Sequence, residues 1–182
     1  MLTIADIEQL FARHGGEQYS GEPVTQLEHA LQTAHLAEQS DASDALVTAC
    51  LLHDLGHLLN HQGETPTLRG IDDTHQYFAL PFLRGLFPAA VLEAIKLHVD
   101  AKRYLCNVDT GYYERLSADS RRSLALQGGV FDDAAAAAFL AQTGARDAVM
   151  LRQWDDLAKQ AGLATPPLAH FLDRAAACAL VR

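Results

Sequence analysis

Cationic side chains are in short supply in this chain: 14 lysines and arginines stand against 23 acids over 182 residues, for a formal net charge of −9. That argues against a nucleic-acid partner, since no basic stripe is available to neutralise phosphates. Arg121-Arg122 is too small a cluster to change this. A small anionic substrate remains open, because local cations around a metal can outweigh the global sign. Cysteines are equally sparse. Cys50, Cys106 and Cys178 are odd in number, widely spaced and set in apolar contexts. They exclude a disulfide framework or zinc knuckle and read as buried, reduced thiols of a cytoplasmic protein. No apolar run is long enough to span a bilayer, and the amino terminus lacks the basic flank and apolar core of a signal peptide, so no membrane partner is expected. Alternating β-branched runs are scarce too, which leaves little room for sheet.

What is present is helical periodicity in a chain that is 49% hydrophobic, enough for one compact domain over residues 1–182. Thr3 caps a first helix that ends near Gly15-Gly16, and a loop to Pro23 carries Tyr19 and Glu22. Thr25 caps a helix to about Gln39, on which Gln26, His29, Gln32 and Thr33 share one stripe. Asp41 or Ser43 opens a helix that carries His53-Asp54 and ends near Asn60. Residues 61–72 read as a surface loop, and Asp72 or Asp73 caps the helix bearing His75. Pro88 starts the helix bearing His98, and Ser117 to Leu126 forms a polar helix before Gly128-Gly129. Asp132 opens an alanine-rich helix, Thr143 caps one that runs to about Gln160 with Asp155 on it, and Pro166-Pro167 starts the last. The fold class expected is all-α.

Within Leu51-Leu52-His53-Asp54-Leu55-Gly56-His57, an imidazole and a carboxylate stand side by side in apolar surroundings. Burying them unpaired is costly, and a first-row divalent ion removes that cost. His29, His75, His98 and Asp155 lie on other helices with apolar faces. Six candidate ligands are too many for one tetrahedral ion and suit two ions that share a carboxylate. Consecutive residues diverge by about 100° on a helix, so Asp54 must lean across to reach a metal held by His53. His57, four residues after His53, fits either as a further ligand or as a donor over a substrate. Each residue also has a plainer reading. A lone histidine on an apolar helix is ordinarily a core or surface residue. His14, His61 and His170 are taken as surface residues and His35 as structural. Asp155 could pair with Lys159 four residues on, and Lys102-Arg103 could be a solvated helix end.

The ordered set His29, His53-Asp54, His75, His98 and Asp155 resembles the HD-domain superfamily of metal-dependent proteins, with His75 and His98 matching its dinuclear branch. The flanking segments narrow the likeness. Tyr19-Ser20-Gly21-Glu22, Gln26-Leu27-Glu28-His29, Ala101-Lys102-Arg103-Tyr104-Leu105, Leu126-Gln127-Gly128-Gly129-Val130 and Arg152-Gln153-Trp154-Asp155 are similar to the oxygenases that cleave 2-amino-1-hydroxyethylphosphonate to glycine and phosphate (PhnZ type).

The resemblance implies an HD-domain helical bundle and a mixed-valent pair of iron ions, one Fe(II) and one Fe(III). His29, His53, Asp54 and Asp155 would hold one iron, and Asp54, His75 and His98 the other. His57, Lys102, Ser120 and Arg152 would form the phosphonate pocket, with Ser123 and Gln127 nearby. Tyr19 would occupy an open iron position until substrate arrives, and Glu22 would meet a substrate ammonium. The implied reaction is O2-dependent C–P cleavage of a 1-hydroxy-2-aminoethylphosphonate, or an N-methylated relative, to phosphate and glycine or glycine betaine. One departure is that Gln76-Tyr77-Phe78-Ala79-Leu80 is bulkier than the small-residue pattern expected there. Those rings would favour an N-methylated amine if they line the pocket, and are ordinary packing if they do not. Two rival readings use the same residues: a dinuclear phosphohydrolase acting on a phosphomonoester or nucleotide, and a noncatalytic interaction module.

Overall fold

The computed structural model describes residues 1–19, 21–60 and 66–180, so the expectation for His61 and the first part of its loop lies outside the described residues. Among the described residues the regular elements are all helices, with two isolated β-bridges, Gln18–Thr25 and Arg84–Phe87, outside them. α1 (Ile4–His14) and α2 (Gln26–Gln39) each open on a threonine capping box, Thr3 with Asp6 and Thr25 with Glu28. α3 (Asp44–Leu52) is capped by Ser43, and α4 (Leu55–Leu59) follows almost at once. A 3-10 turn (Pro66–Arg69) and the one-turn helices α5 (His75–Phe78) and α6 (Leu80–Leu83) lead to α7 (Ala89–Val108). Then come α8 (Tyr112–Arg115), α9 (Ala118–Leu126), α10 (Asp133–Leu140), α11 (Ala145–Leu157) and α12 (Leu168–Cys178).

α7 is the central post. It packs most extensively on α11 and also on α3, while α2 and α12 cover the other sides of α3. Val47, Cys50, Leu51, Leu52, Val91, Ile95, Leu151 and Phe171 meet in the main core, each almost fully buried. A second cluster, Leu97, Ala101, Phe139, Ala145 and Ala148, fastens α10 and α11 to the far half of α7. The ligand-bearing helices are thus clamped from several directions by apolar contacts.

Four expectations need correction. The helix carrying His53-Asp54 is interrupted at that pair: α3 stops at Leu52, and Asp54, at φ −101° and ψ 11°, starts α4. Asp54 therefore stands between two helices rather than inside one. The residue before α5 is Thr74, in a left-handed conformation, rather than Asp72 or Asp73. Those carboxylates instead accept from the backbone N–H groups of Thr74 and His75. Gly144, not Thr143, precedes α11. Its φ of +83° and its fit against Glu93, where a Cβ would lie 2.8 Å from Glu93 Cβ, both call for glycine, and the helix ends at Leu157 rather than near Gln160. Of the three thiols, all free, only Cys50 is buried; Cys106 and Cys178 are half-exposed.

Candidate metal centre

Two fully buried groups of ligand-type side chains meet between α2, α3, α5, α7 and α11, and a third, half-buried one, His57, Asp73 and His75, adjoins them. Of the buried two, one is His29, His53 and Asp155; the other is Asp54, His75 and His98. In the first group His29 Nε2 lies 3.2 Å from His53 Nε2 and 3.3 Å from Asp155 Oδ1. In the second His75 Nε2 lies 3.1 Å from His98 Nε2. Asp54 joins them: its Oδ2 is 3.3 Å from His53 Nε2, and its Oδ1 is 3.3 Å from His75 Nε2.

The remaining ring nitrogens fix what this arrangement can hold. His29 Nδ1 lies 2.8 Å from the Ala158 carbonyl, His53 Nδ1 2.8 Å from that of Cys50 and His98 Nδ1 2.7 Å from that of Ile95. His75 Nδ1 lies 2.8 Å from Asp73 Oδ1. A carbonyl or carboxylate oxygen only accepts, so each Nδ1 carries the proton and each neutral Nε2 presents a lone pair. Lone pairs facing each other at this distance repel, and a cation between them converts repulsion into ligation. Buried Asp54 Oδ2 and Asp155 Oδ1 have no hydrogen-bond partner, which is the same signal from the carboxylates. Metal–ligand bonds of about 2.1 Å at right angles put neighbouring ligand atoms about 3 Å apart, the spacing seen here. The residues therefore fit a dinuclear metal site, with the Asp54 carboxylate standing between the two groups.

Electrostatics point the same way. Burial, with the neighbouring charges of His75 and His53, holds His98 well below the usual imidazole range and so in its ligand form. Burial would raise Asp54 and Asp155, but His53 and His57 hold the first, and Arg152 the second, well below the usual carboxylate range. Tyr19 stacks on His29, with ring centroids 3.9 Å apart, and its hydroxyl reaches Asp54. Burial and the charges of Asp54 and Asp155 push that phenol well above its ordinary value.

A recess opens beside the two groups. Its wall contains Tyr19, His57, Lys102, Ser120, Ser123, Gln127 and Arg152, together with Asp54, His75, His98 and Asp155. Lys102 is 3% exposed and donates to Ser123 Oγ at 2.7 Å. Arg152 Nη1 donates to Asp155 Oδ2 at 2.8 Å, and the rest of its guanidinium is held by Asp156 and the Tyr112 hydroxyl. The Gln127 turn is clamped by Arg103, which donates to the Gly129 and Gly128 carbonyls and stacks over Phe131. His57 stays outside both ligand groups. It stacks on His75 with centroids 4.2 Å apart and meets Asp73 Oδ2 at 2.8 Å. α4 can lie this close to α5 because residue 56 is glycine: a Cβ there would fall 2.1 Å from the His75 carbonyl oxygen.

Glu22 is not part of the recess wall; its carboxylate accepts from Lys159 Nζ at 3.2 Å. Lys159 is therefore not the solvated partner of Asp155. Tyr77 and Phe78 are 48% and 38% exposed and do not line the recess, so the bulky segment after His75 builds no aromatic cage there. Sequence reasoning missed Asp73, the acid that orients both His57 and His75, along with Lys159 and the Tyr112–Asp156 pair behind Arg152. Only Asp73 left a signal, as an acid two residues before a candidate ligand.

The architecture and the paired ligand groups define an HD-domain protein, and the HD-domain family model matches residues 27–138. The chain is 43% identical over 176 residues to a hydroxymethylphosphonate dioxygenase of Gimesia maris, covering 96% of this chain and 87% of that protein. It is 37% identical over 166 residues to a [1-hydroxy-2-(trimethylamino)ethyl]phosphonate dioxygenase (glycine-betaine-forming) of Leisingera caerulea, covering 89% and 83%. It is 31% identical over 172 residues to an uncharacterized protein of Acanthamoeba polyphaga mimivirus, covering 93% and 78%. The chain belongs to the HD-domain family and, within it, to the phosphonate dioxygenases.

Proposed function

We propose that this protein is a diiron dioxygenase that cleaves the C–P bond of a 1-hydroxyphosphonate with O2 and releases phosphate. The observation that carries the reading is the meeting of two ligand groups, joined through Asp54, with a recess whose wall presents Lys102 and Arg152. His29, His53, Asp54 and Asp155 would hold one ion, and Asp54, His75 and His98 the other. Imidazole and carboxylate donors suit iron among the first-row metals, and a mixed-valent Fe(II)/Fe(III) pair matches the family. When bound, the pair supplies Lewis acidity toward the substrate hydroxyl and one-electron chemistry toward O2.

The chain's own residues bind and orient. Lys102 brings a point charge, and Arg152, its guanidinium fixed by Asp155, Asp156 and Tyr112, adds a second positive charge on the recess wall; both suit a phosphonate dianion. Ser120, Ser123 and Gln127 add neutral donors, and His57, held by Asp73, lines the same recess. Tyr19 covers the ligand groups from the loop before α2 and is placed to give way to substrate. Among the described residues no helix is long and apolar enough to cross a membrane, and the three free thiols support a cytoplasmic setting. α11, which carries Asp155 and Arg152, and α12 lie beyond the matched family region, and both pack on α3. That supports treating residues 1–182 as one domain.

Metal analysis combined with oxygen uptake tests the reading. About two irons per chain are expected for the two-metal site, and O2 consumption should accompany phosphate release from a 1-hydroxyphosphonate. Asp54→Ala should disturb both positions, whereas His75→Ala should lower occupancy at one. Phosphate release from phosphomonoesters without O2 consumption, supported by redox-inert metals, would identify a phosphohydrolase instead.

A further inference from the structure

We propose that Lys159 is a specificity residue that confines the recess to 1-hydroxyphosphonates bearing no cationic group. The proposal rests on the reading of the recess as a phosphonate site and names the substrate class within it. An ammonium group is recognised by a free carboxylate or by an aromatic face. In the loop before α2, beside the recess, Glu22 and Tyr19 supply one of each, and Lys159 engages both. Its Nζ donates to Glu22 Oε1 at 3.2 Å, with the two side chains only 13% and 12% exposed. The same Nζ lies over the Tyr19 ring, 5.9 Å from its centroid, and 3.4 Å from Ser120 Oγ on the recess wall.

The other buried or half-buried acids of the recess are committed elsewhere, and only Asp72, out at the exposed edge, is left open to solvent. Asp119 accepts from Thr67 at 2.6 Å and from Arg122 at 2.9 Å, and Asp73 is held by His57 and His75. Asp54 and Asp155 belong to the ligand groups, while Asp72 sits exposed at the mouth and accepts from the Thr74 N–H. A substrate ammonium reaching for Glu22 would have to displace a largely buried lysine and then sit beside its charge. That like-charge contact opposes amines and leaves an uncharged substituent, or none, unaffected.

The test compares kcat/KM, by O2 uptake and phosphate release, for hydroxymethylphosphonate, 2-amino-1-hydroxyethylphosphonate and its trimethylated analogue. Wild-type enzyme should prefer the amine-free substrate by about tenfold or more. Lys159→Met should shift that ratio toward the amines by at least about tenfold, and Lys159→Arg should keep it. An amine preference in wild-type enzyme, or a smaller shift in iron-loaded Lys159→Met, overturns the proposal. If Lys159→Met does not fold, the wild-type ratio and Glu22→Gln decide. Glu22→Gln leaves the lysine charge unneutralised, so it should further disfavour amines, and a gain for amines overturns the proposal. Absence of O2-dependent turnover with all three substrates fails the phosphonate reading itself, whereas turnover with the wrong ratios fails only the role of Lys159.

Discussion

Asp73 Oδ1 stands 2.8 Å from His75 Nδ1, while the other three inward-facing imidazoles turn Nδ1 to backbone carbonyls. A carboxylate behind a ligand raises its basicity and fixes its tautomer more strongly than a carbonyl does. Asp73→Ala should therefore weaken metal binding at the Asp54–His75–His98 position by roughly 10–100-fold and leave the His29–His53–Asp155 position loaded. Metal content measured after dialysis against graded chelator would show this as the loss of one ion before the other. Equal weakening of both positions would mean that Asp73 serves the whole site rather than His75.

Gly56 and His75 make a second, purely steric contact. The missing Cβ of Gly56 would fall 2.1 Å from the His75 carbonyl oxygen, and a backbone atom cannot swing aside as a side-chain tip can. Gly56→Ala should cost about 1–3 kcal/mol, the range for overpacking, with α5 displaced from α4. Because α5 carries His75, loss of stability should come with loss of one metal ion. A thermal melt and metal analysis on the same preparation would report both, and a stable variant with full metal content would show that α5 adapts without cost.

Arg152 behaves differently from what the sequence alone suggests. A substrate-binding arginine could be removed with the fold intact, but this one is buried against Asp155, Asp156 and Tyr112. Arg152→Ala would strand buried Asp155, so it should destabilise by about 3–5 kcal/mol and lower metal content as well. Tyr112→Phe is the gentler probe. It removes the hydroxyl that donates to Asp156 and accepts from Arg152 Nε, without unpairing a charge. KM for the phosphonate should rise while metal content stays full. An unchanged KM would show that the Asp156 contact suffices to aim the guanidinium.

These cases show how far the sequence could be read. The six side chains that the structure brings together were legible as candidate ligands because each is a polar residue on an otherwise apolar face, a pattern that is costly to bury without a shared purpose. The capped helices were legible from local chemistry, as at Thr3, Thr25 and Ser43. The break at His53-Asp54 was not, because neither residue is a helix breaker and the one glycine of that run, Gly56, lies two residues beyond it. The partner of Lys159 was not legible for a related reason. Its nearest acid in helical spacing is Asp155, but its actual partner, Glu22, is 137 residues away, and only the packed fold brings the two together.

Lys102 supplies the pH dependence. Burial, followed by the charge of Arg152, lowers its pKa from 10.5 to about 7. The cation needed to attract a phosphonate is therefore present below pH 7 and is lost as pH rises above it. Bound phosphonate favours the charged form, so binding near pH 8 should draw a proton from solvent. Calorimetry in two buffers of different ionisation heat would detect that uptake. KM should climb by up to about tenfold per unit above pH 7 as the neutral amine dominates. Lys102→Arg should flatten this rise, since a guanidinium stays charged, while the ionisation of the substrate itself affects both enzymes alike. The same shift acts on stability. Between pH 7 and 10.5 the unfolded chain holds a proton on this lysine that the folded chain has released. Stability from this group therefore rises with pH across that window, and its burial is most costly below pH 7. Wild type and Lys102→Met should accordingly differ in melting temperature more at pH 6 than at pH 9. A pH-independent difference, together with no proton uptake on binding, would place the lysine pKa at its ordinary value and remove Lys102 as the source of any KM rise.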